Sequence, residues 1–328
     1  MSVEVRTVAE DEAEIRLDRW FKRHFPEVTH GRLEKLLRTG QVRVDGGRAK
    51  ANVRLSPGQQ VRVPPLPAVE PVERTAEPMV IDRDGEDLQK RVLFRDEWII
   101  ALNKPSGLAT QGGSGQTKHV DGMLDALRFG SNDRPRLVHR LDKDTSGVLL
   151  LARTPGIAAK LAEAFRHRTA RKLYWALTVG VPEPEAGRID KPLAKIAAAG
   201  GERMMEDEED GQYAVTLYHT LETAGRRAAW VALMPQTGRT HQLRVHMAML
   251  GKPIVGDRKY GGEAAKLAGG EVSSKLHLHA RRIILPHPKG GTIDVTAPLP
   301  DHMRATWKLL DFDTEDSRFP FKERRERY

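Results

Sequence analysis

Cysteine is absent from the 328-residue chain, which removes disulfide frameworks, thiolate nucleophiles and Cys-ligated zinc in one step. It leaves the redox compartment open. No stretch approaches about 18 apolar residues, and the opening MSVEVRTVAEDEAEIRLDRW carries acids where a signal peptide needs a basic start and an apolar run. The expectation is a soluble cytoplasmic protein. Three catalytic signatures are missing as well. Without H-E-x-x-H, the 12 scattered histidines lend little to a metal site at His241 and His246 or at His277 and His279. Without G-x-S-x-G, Ser146 beside His139 lacks the elbow that exposes a serine nucleophile. Without G-x-x-x-x-G-K-[ST], nucleotide hydrolysis has no phosphate cradle, and GGSG at 112–115 reads as a flexible turn. No internal repeat of about 20 to 50 residues is found.

What the chain has is basic charge, unevenly spread. Lys plus Arg number 54 against 45 acids, a net +9, which favours a polyanionic partner. The length allows a catalytic domain with a sizeable core plus a small accessory module. Residues 12–63 form that module. Leu17, Trp20 and Phe21 recur at helical spacing, as do Leu33, Leu36 and Leu37, and Gly40 is placed to end the second helix in a left-handed cap. Strand-like alternation follows at Val42 and Val44, a turn at Asp45-Gly46-Gly47, then Val53, Leu55, Val61 and Val63. On the second helix, 100° per residue sets Arg32, Lys35 and Arg38 opposite the leucines. Between Asp11 and Val63 there are 12 Lys and Arg against 7 acids, a surplus of +5. The stretch GRLEKLLRTGQVRVDGGRAK, 31–50, resembles the S4 RNA-binding domain. The resemblance implies that Arg32, Lys35, Arg38 and Arg43 contact RNA.

Residues 64–89 are rich in Pro and charge and lack periodicity, the composition of an extended linker. Residues 90–328 are expected to form the catalytic domain. In it VLFRDEWIIALNKP reads as paired strands, VLLLA at 148–152 as a buried strand and GIAAKLAEAFRHR at 156–168 as a helix. RKLYWALTVG alternates, with Leu173, Trp175, Leu177 and Val179 on one face and Tyr174, Ala176 and Thr178 on the other. A strand is predicted near Ala228–Leu233 and a helix from about Thr240 to Leu250, ended by Gly251, with Leu243, Met247 and Leu250 facing the core. The acidic run 206–210 reads as a solvated loop. Strands outnumber helices without regular alternation, so the predicted class is α+β with a mixed, mostly antiparallel sheet.

Two polar clusters can carry chemistry. His139-Arg140-Leu141-Asp142-Lys143-Asp144-Thr145-Ser146-Gly147 precedes a buried strand, and a loop so anchored holds side chains rigidly. Thr237-Gly238-Arg239-Thr240-His241-Gln242-Leu243-Arg244-Val245-His246 runs from a turn into a helix. With HRLDKDTSGVLLLART at 139–154, RKLYWAL at 171–177, TGRTHQLRVHMAMLGKPIVGDRKYG at 237–261 and LNKPSGL at 102–108, residues 90–300 resemble the RluA-type pseudouridine synthases, in which an S4-like module precedes the catalytic domain of the large-subunit rRNA enzymes. The resemblance implies the pseudouridine synthase fold, Asp142 as nucleophile, Tyr174 against the target base, Arg244 paired with the Asp142 carboxylate, and Arg140 displacing the base from its helix. It implies no cofactor and no metal.

The chemistry agrees with those roles. Uridine becomes pseudouridine when the C1′–N1 bond breaks, the base rotates and C5 joins C1′, with no redox step. An ionised carboxylate starts this, either by attacking C1′ or by acting as a base on the adjacent ribose carbon, and both routes remain open. In a dry site a fixed cation must offset the desolvation that otherwise protonates the acid, and Arg244 meets that need. GLATQGGSG at 107–115 and the N-terminal module favour 23S rRNA as substrate, acted on by a monomer without a required protein partner. A tRNA enzyme of the same family and a non-catalytic RNA-binding or ribosome-assembly factor are the competing readings.

Overall fold

The computed structural model describes residues 3–12, 14–25, 28, 30–66, 82–112, 118–167, 169–198, 201–269, 271–314, 316 and 318–321. The chain divides into two units, Met1–Pro78 and Met79–Tyr328.

The first unit starts with strand β1 (Glu4–Thr7), followed by helices α1 (Leu17–His24) and α2 (His30–Arg38), strands β2 (Arg43–Val44) and β3 (Gly47–Arg48), and β4 (Gln60–Val63). Leu17, Trp20, Phe21, Leu33 and Leu37 are buried together with Val42, Leu55, Val61 and Val63, as the 3.6 and 2.0 periodicities require. Gly40, at φ +69°, supplies the left-handed turn, and Asp45 and Gly46 carry the positive φ of the β2–β3 hairpin. Residue 12 is not the edge of this unit. β1 pairs antiparallel with β4, Glu4 against Val63 through Thr7 against Gln60, and β1 is exposed along most of its length. With little burial the strand leaves no apolar alternation to read. The expected strand at Val53 and Leu55 is the other departure: neither residue lies in a strand, Val53 is 37% exposed, and Leu55 is buried. Glu12 is a buried carboxylate that accepts from Trp20 Nε1 (2.9 Å), the Ala9 N–H (3.1 Å) and His24 Nε2 (2.5 Å). Burial acts to raise its pKa, and these hydrogen bonds outweigh it and hold the group below its ordinary value.

Of the expected linker, 67–81 lies outside the described residues, as does 113–117, which takes in all but Gly112 of the expected GGSG turn. The end of that linker is a helix, α3 (Arg83–Gln89). Asp82 caps it by accepting the Gly85 N–H at 2.8 Å, and one buried apolar side chain, Leu88, anchors it. A single apolar anchor leaves no periodic signal.

The remaining elements of the second unit are β5 (Val92–Arg95), β6 (Ile99–Lys104), β7 (Arg136–Leu137), β8 (Ser146–Ala152), α4 (Pro155–Arg166), β9 (Arg171–Val179), β10 (Ala186–Asp190), the hairpin β11 (Leu193–Ala198) and β12 (Gly201–Glu206), β13 (Val215–Ala224), β14 (Ala228–Pro235), α5 (Gln242–Met249), β15 (Leu278–Pro286), β16 (Thr292–Thr296) and α6 (Asp301–Leu309). One sheet runs β10-β13-β14-β9-β15-β8-β6-β5, with β16 on β15 and β7 on β8. Its ladders are antiparallel except β15 with β8, so the α+β, mostly antiparallel expectation holds.

β8 is buried throughout. Val148 and Leu150 pack with Ile157 and Leu161 of α4, while Leu149 and Leu151 pack with Leu88 of α3 on the other face. β9 does the same. Leu173, Trp175 and Leu177 meet Met303 and Trp307 of α6, and Tyr174 and Ala176 meet Leu243 and Met247 of α5. Tyr174 therefore faces away from Trp175, as the alternation predicts. Among the described residues no helix is long and apolar enough to cross a membrane.

Candidate active site

The 139–145 loop ends where β8 enters the sheet, and the neighbouring turn after β6 fixes its backbone. Thr110 Oγ1 donates to the Leu141 carbonyl (2.6 Å) and accepts the Leu141 N–H (3.2 Å). The Gly107 N–H donates to the Lys143 carbonyl (2.9 Å), and Ser106 Oγ donates to the Asp144 carbonyl (2.8 Å). Lys104 is fully buried, and its Nζ donates to the carbonyls of Pro105 (3.0 Å), Leu108 (2.7 Å) and Lys143 (3.0 Å). Burial pulls this lysine down to about 7 against the opposing charges of Asp142 and Asp144. An acceptor for each of three protons favours the ammonium form. Asp142, 20% exposed, thus projects from a backbone clamped on both sides.

Asp142, Tyr174, Arg244 and Arg140 all line one cavity of about 980 Å³, at the upper end of ligand-sized clefts. Asp142 is the one acid among the described residues of its wall, which also carries Lys172 and Arg239. Tyr174 is half-buried, and burial, then the charge of Asp142, raises its hydroxyl well above the ordinary phenol value. It stays neutral at any working pH. Arg140 is exposed at the rim. Lys172 lies two residues from Tyr174 on the same strand face, and burial depresses its pKa.

The pairing of Arg244 differs from expectation. Its guanidinium binds Asp257, Nε to Oδ2 at 2.9 Å and Nη2 to Oδ1 at 2.7 Å, with both side chains buried, and it makes no ion pair with Asp142. The planar fork can satisfy one carboxylate bidentately, and Asp257 takes it. Burial acts to lower the guanidinium pKa, Asp257 outweighs it and holds the group above its ordinary value, and Asp142 adds to that only at longer range. The nearest cationic candidate to Asp142 is instead His241, Nε2 to Oδ2 at 3.9 Å.

Helix α5 is not amphipathic: Gln242 to Met247 are all buried. Gln242 accounts for this, because its Oε1 accepts from Thr237 Oγ1 (2.7 Å) and the Arg239 N–H (3.0 Å) while its Nε2 donates to the Val215 carbonyl (2.9 Å) and Thr216 Oγ1 (3.0 Å). His246 joins the same network through Thr216 Oγ1. His277 and His279 are likewise buried and hydrogen-bonded, to Thr306 and to Ser146. No cluster of metal-ligating side chains occurs among the described residues. Lys104, Asp257 and Tyr260 carry the site's geometry and were not expected as site residues, their only signal being that they fall within the stretches that resemble the family; His241 was weighed only as a metal ligand and as a member of the second polar cluster.

In the first unit Arg32, Lys35, Arg38 and Arg43 are exposed, but Arg43 is committed: its guanidinium donates to the carbonyls of Gly40 (3.0 Å) and Gly46 (3.3 Å) and braces the hairpin turn.

Residues 98–249 match the family model described as RNA pseudouridylate synthase. The chain is 37% identical to Ribosomal large subunit pseudouridine synthase C of Pasteurella multocida, over 92% of either chain. It is 33% identical to RNA pseudouridine synthase 4, mitochondrial, of Arabidopsis thaliana, over 89% of this chain and 78% of that one. Among solved structures, Human RNA Pseudouridylate Synthase Domain Containing 4 superposes with a TM-score of 0.59 at 32% identity, covering 69% of this chain and 95% of that one. A clamped carboxylate in a basic, aromatic-walled cleft and relatives matched over most of their length lead to one conclusion: the chain belongs to the RluA-type RNA pseudouridine synthases.

Proposed function

We propose that this enzyme isomerises specific uridines of large-subunit (23S) ribosomal RNA, with Asp142 as the acting carboxylate. The observation that carries the reading is the placement of Asp142 as the one acid in a cavity whose described walls are otherwise aromatic, apolar, polar and cationic. A neutral uracil with its ribose and flanking phosphates complements such a wall. Asp142 begins the cleavage of C1′–N1, Tyr174 lies against the released base, and Arg244, held by Asp257, adds positive potential beside the carboxylate without neutralising it in a direct pair. Extracting the base costs a few kcal/mol. Stacking worth ~1–3 kcal/mol per base on Tyr174 and a guanidinium from Arg140 filling the vacancy offset part of that. The isomerisation transfers no electrons and no external group, so the reaction needs no cofactor.

The large-subunit assignment is supported by the name of the Pasteurella multocida relative and by its near full-length match. The first unit is read as an S4-like RNA-binding module. Arg32, Lys35 and Arg38 are exposed on the side of α2 opposite buried Leu33 and Leu37, next to a surface hollow whose charged lining is Arg16, Arg38 and Lys50 with one acid, Glu34. Phosphate contacts of this kind position an RNA without specifying sequence.

The decisive test is pseudouridine mapping on unmodified 23S rRNA and bulk tRNA with the wild type and Asp142→Asn, which removes the charge and little else. Modification of 23S rRNA by the wild type alone is expected. Modification confined to tRNA overturns the substrate, and an active Asp142→Asn overturns the nucleophile.

A further inference from the structure

His241 stands apart from the rest of the 237–246 segment. Thr237 and Gln242 line the same cavity but, like His246, are bound into the β13 network, whereas His241 turns a ring nitrogen toward Asp142. It is the N-cap of α5 and adopts φ 53° and ψ 16°, the left-handed region that L side chains rarely occupy. Strain of this type persists where surrounding contacts over-determine it, and here they do. Its Nδ1 is 2.7 Å from the Tyr260 hydroxyl, and the two rings meet edge-on at 5.4 Å and 68°. Tyr260 is fixed in turn. Its oxygen accepts the Met204 N–H of β12 (3.3 Å), its own N–H donates to Asp257 Oδ1 (3.1 Å), and the Arg244 guanidinium sits 5.2 Å from its ring centre. The other ring nitrogen, Nε2, faces Asp142 Oδ2 at 3.9 Å.

This arrangement selects a tautomer. The Tyr260 oxygen already accepts one N–H, so its own proton is available to Nδ1, which leaves the imidazole proton on Nε2. The reverse assignment sets a lone pair against a carboxylate and is repulsive. Of the groups facing the ring, Asp142 and Asp257 favour its protonation, while Arg244 and Lys259 oppose it. Burial is the largest influence, and the net direction is down. A neutral imidazole can hold one carboxylate oxygen without cancelling the negative charge that the reaction needs.

We propose that His241 is a positioning residue for Asp142: with its tautomer set by Tyr260, it donates Nε2–H to Oδ2 as RNA closes the cleft, so that Oδ1 is aimed at the ribose. The inference rests on Asp142 being the acting carboxylate. Tightening of a long contact in the substrate complex is ordinary for active sites. Acid weakens the arrangement, because protonated His241 forms an ion pair with Asp142 and lowers its reactivity.

The test is single-turnover kinetics of the full-length protein on an in vitro RNA transcript. The variants are His241→Asn, which keeps a residue tolerant of the left-handed region but withdraws the ring, His241→Gln, which restores a donor near Nε2 without titrating, Tyr260→Phe and Asp142→Asn. His241→Asn is expected to lower the rate by up to roughly 100-fold with RNA affinity within about twofold of wild type. His241→Gln should recover most of that rate and lose the acid limb expected of the wild type. Tyr260→Phe should fall between them. A wild-type rate for His241→Asn overturns the proposal, and so do equal defects in the Asn and Gln variants with an unmoved acid limb. Should His241→Asn fail to fold, His241→Gln and Tyr260→Phe carry the same decision through the acid limb and the intermediate rate. An active Asp142→Asn defeats the reading beneath it, whereas an inactive Asp142→Asn beside a fully active His241→Asn defeats this inference alone.

Discussion

At the scale of single residues, the consequence of the Arg244–Asp257 pair is that Arg244 is structural as well as electrostatic. Both groups are buried, and removing one leaves a desolvated charge without its partner, a loss of ~3–5 kcal/mol. Arg244→Ala is therefore expected to lower the urea midpoint of unfolding along with turnover, and Asp257→Asn should reproduce most of the fall. Stability unchanged in both variants, with turnover lost only in Arg244→Ala, would restore the direct role toward Asp142 that the family resemblance implied. Arg244→Lys is expected to be a poor replacement, because an ammonium cannot occupy both oxygens of Asp257 in one plane.

At the scale of elements, the site depends on the one parallel ladder in the large sheet. Gly147 sits where β8 meets β15, at φ +111°, and a Cβ there would lie 2.2 Å from the Ala280 carbonyl oxygen. The obstacle is backbone and cannot swing aside. Gly147→Ala should cost roughly 3 kcal/mol or more, from overpacking and from the left-handed φ together, and the Asp142 loop five residues upstream should loosen with the strand. A thermal melt superimposable on that of the wild type would show that the β8–β15 approach is looser than the geometry implies. Helix α2 supports a prediction of a different kind. Replacing Arg32, Lys35 and Arg38 together by Gln should weaken RNA binding and flatten its dependence on salt by up to ~2–3 units of slope, while single-turnover chemistry at saturating RNA is preserved. A slope identical to that of the wild type would remove this face from the RNA contact.

At the scale of the whole molecule, buried and partly buried imidazoles couple folding to pH. Burial, followed by the Lys172 charge, holds His139 down to about 3. His279 is also held at about 3 and His277 at about 4, burial leading in each. A base whose folded pKa lies below its unfolded value contributes stability that is complete above about pH 6.5 and is lost as pH falls toward the folded value, because the unfolded chain takes up the proton first. The urea midpoint of the large unit should fall between pH 7 and pH 5, with a linked uptake of ~3 protons on unfolding near pH 5. A midpoint constant over that range would mean that these rings are protonated in the native state.

What the sequence determined by itself is what local period and residue type record. The alternation of β9 put Tyr174 opposite Trp175, the leucine spacing of α2 separated its core and basic faces, the apolar run of β8 marked a buried strand, and the clustered blocks placed Asp142, Tyr174, Arg244 and Arg140 in one cavity. Tertiary structure alone decided who pairs with whom. The Arg244 fork closes on Asp257, thirteen residues away, the left-handed turn at His241 aims a ring at Asp142, Lys104 finds its third carbonyl at Lys143, and β1 finds its ladder on β4. Periodicity reports which face a side chain takes. A hydrogen-bond partner is set by where distant segments of backbone meet, and that is a property of the folded chain.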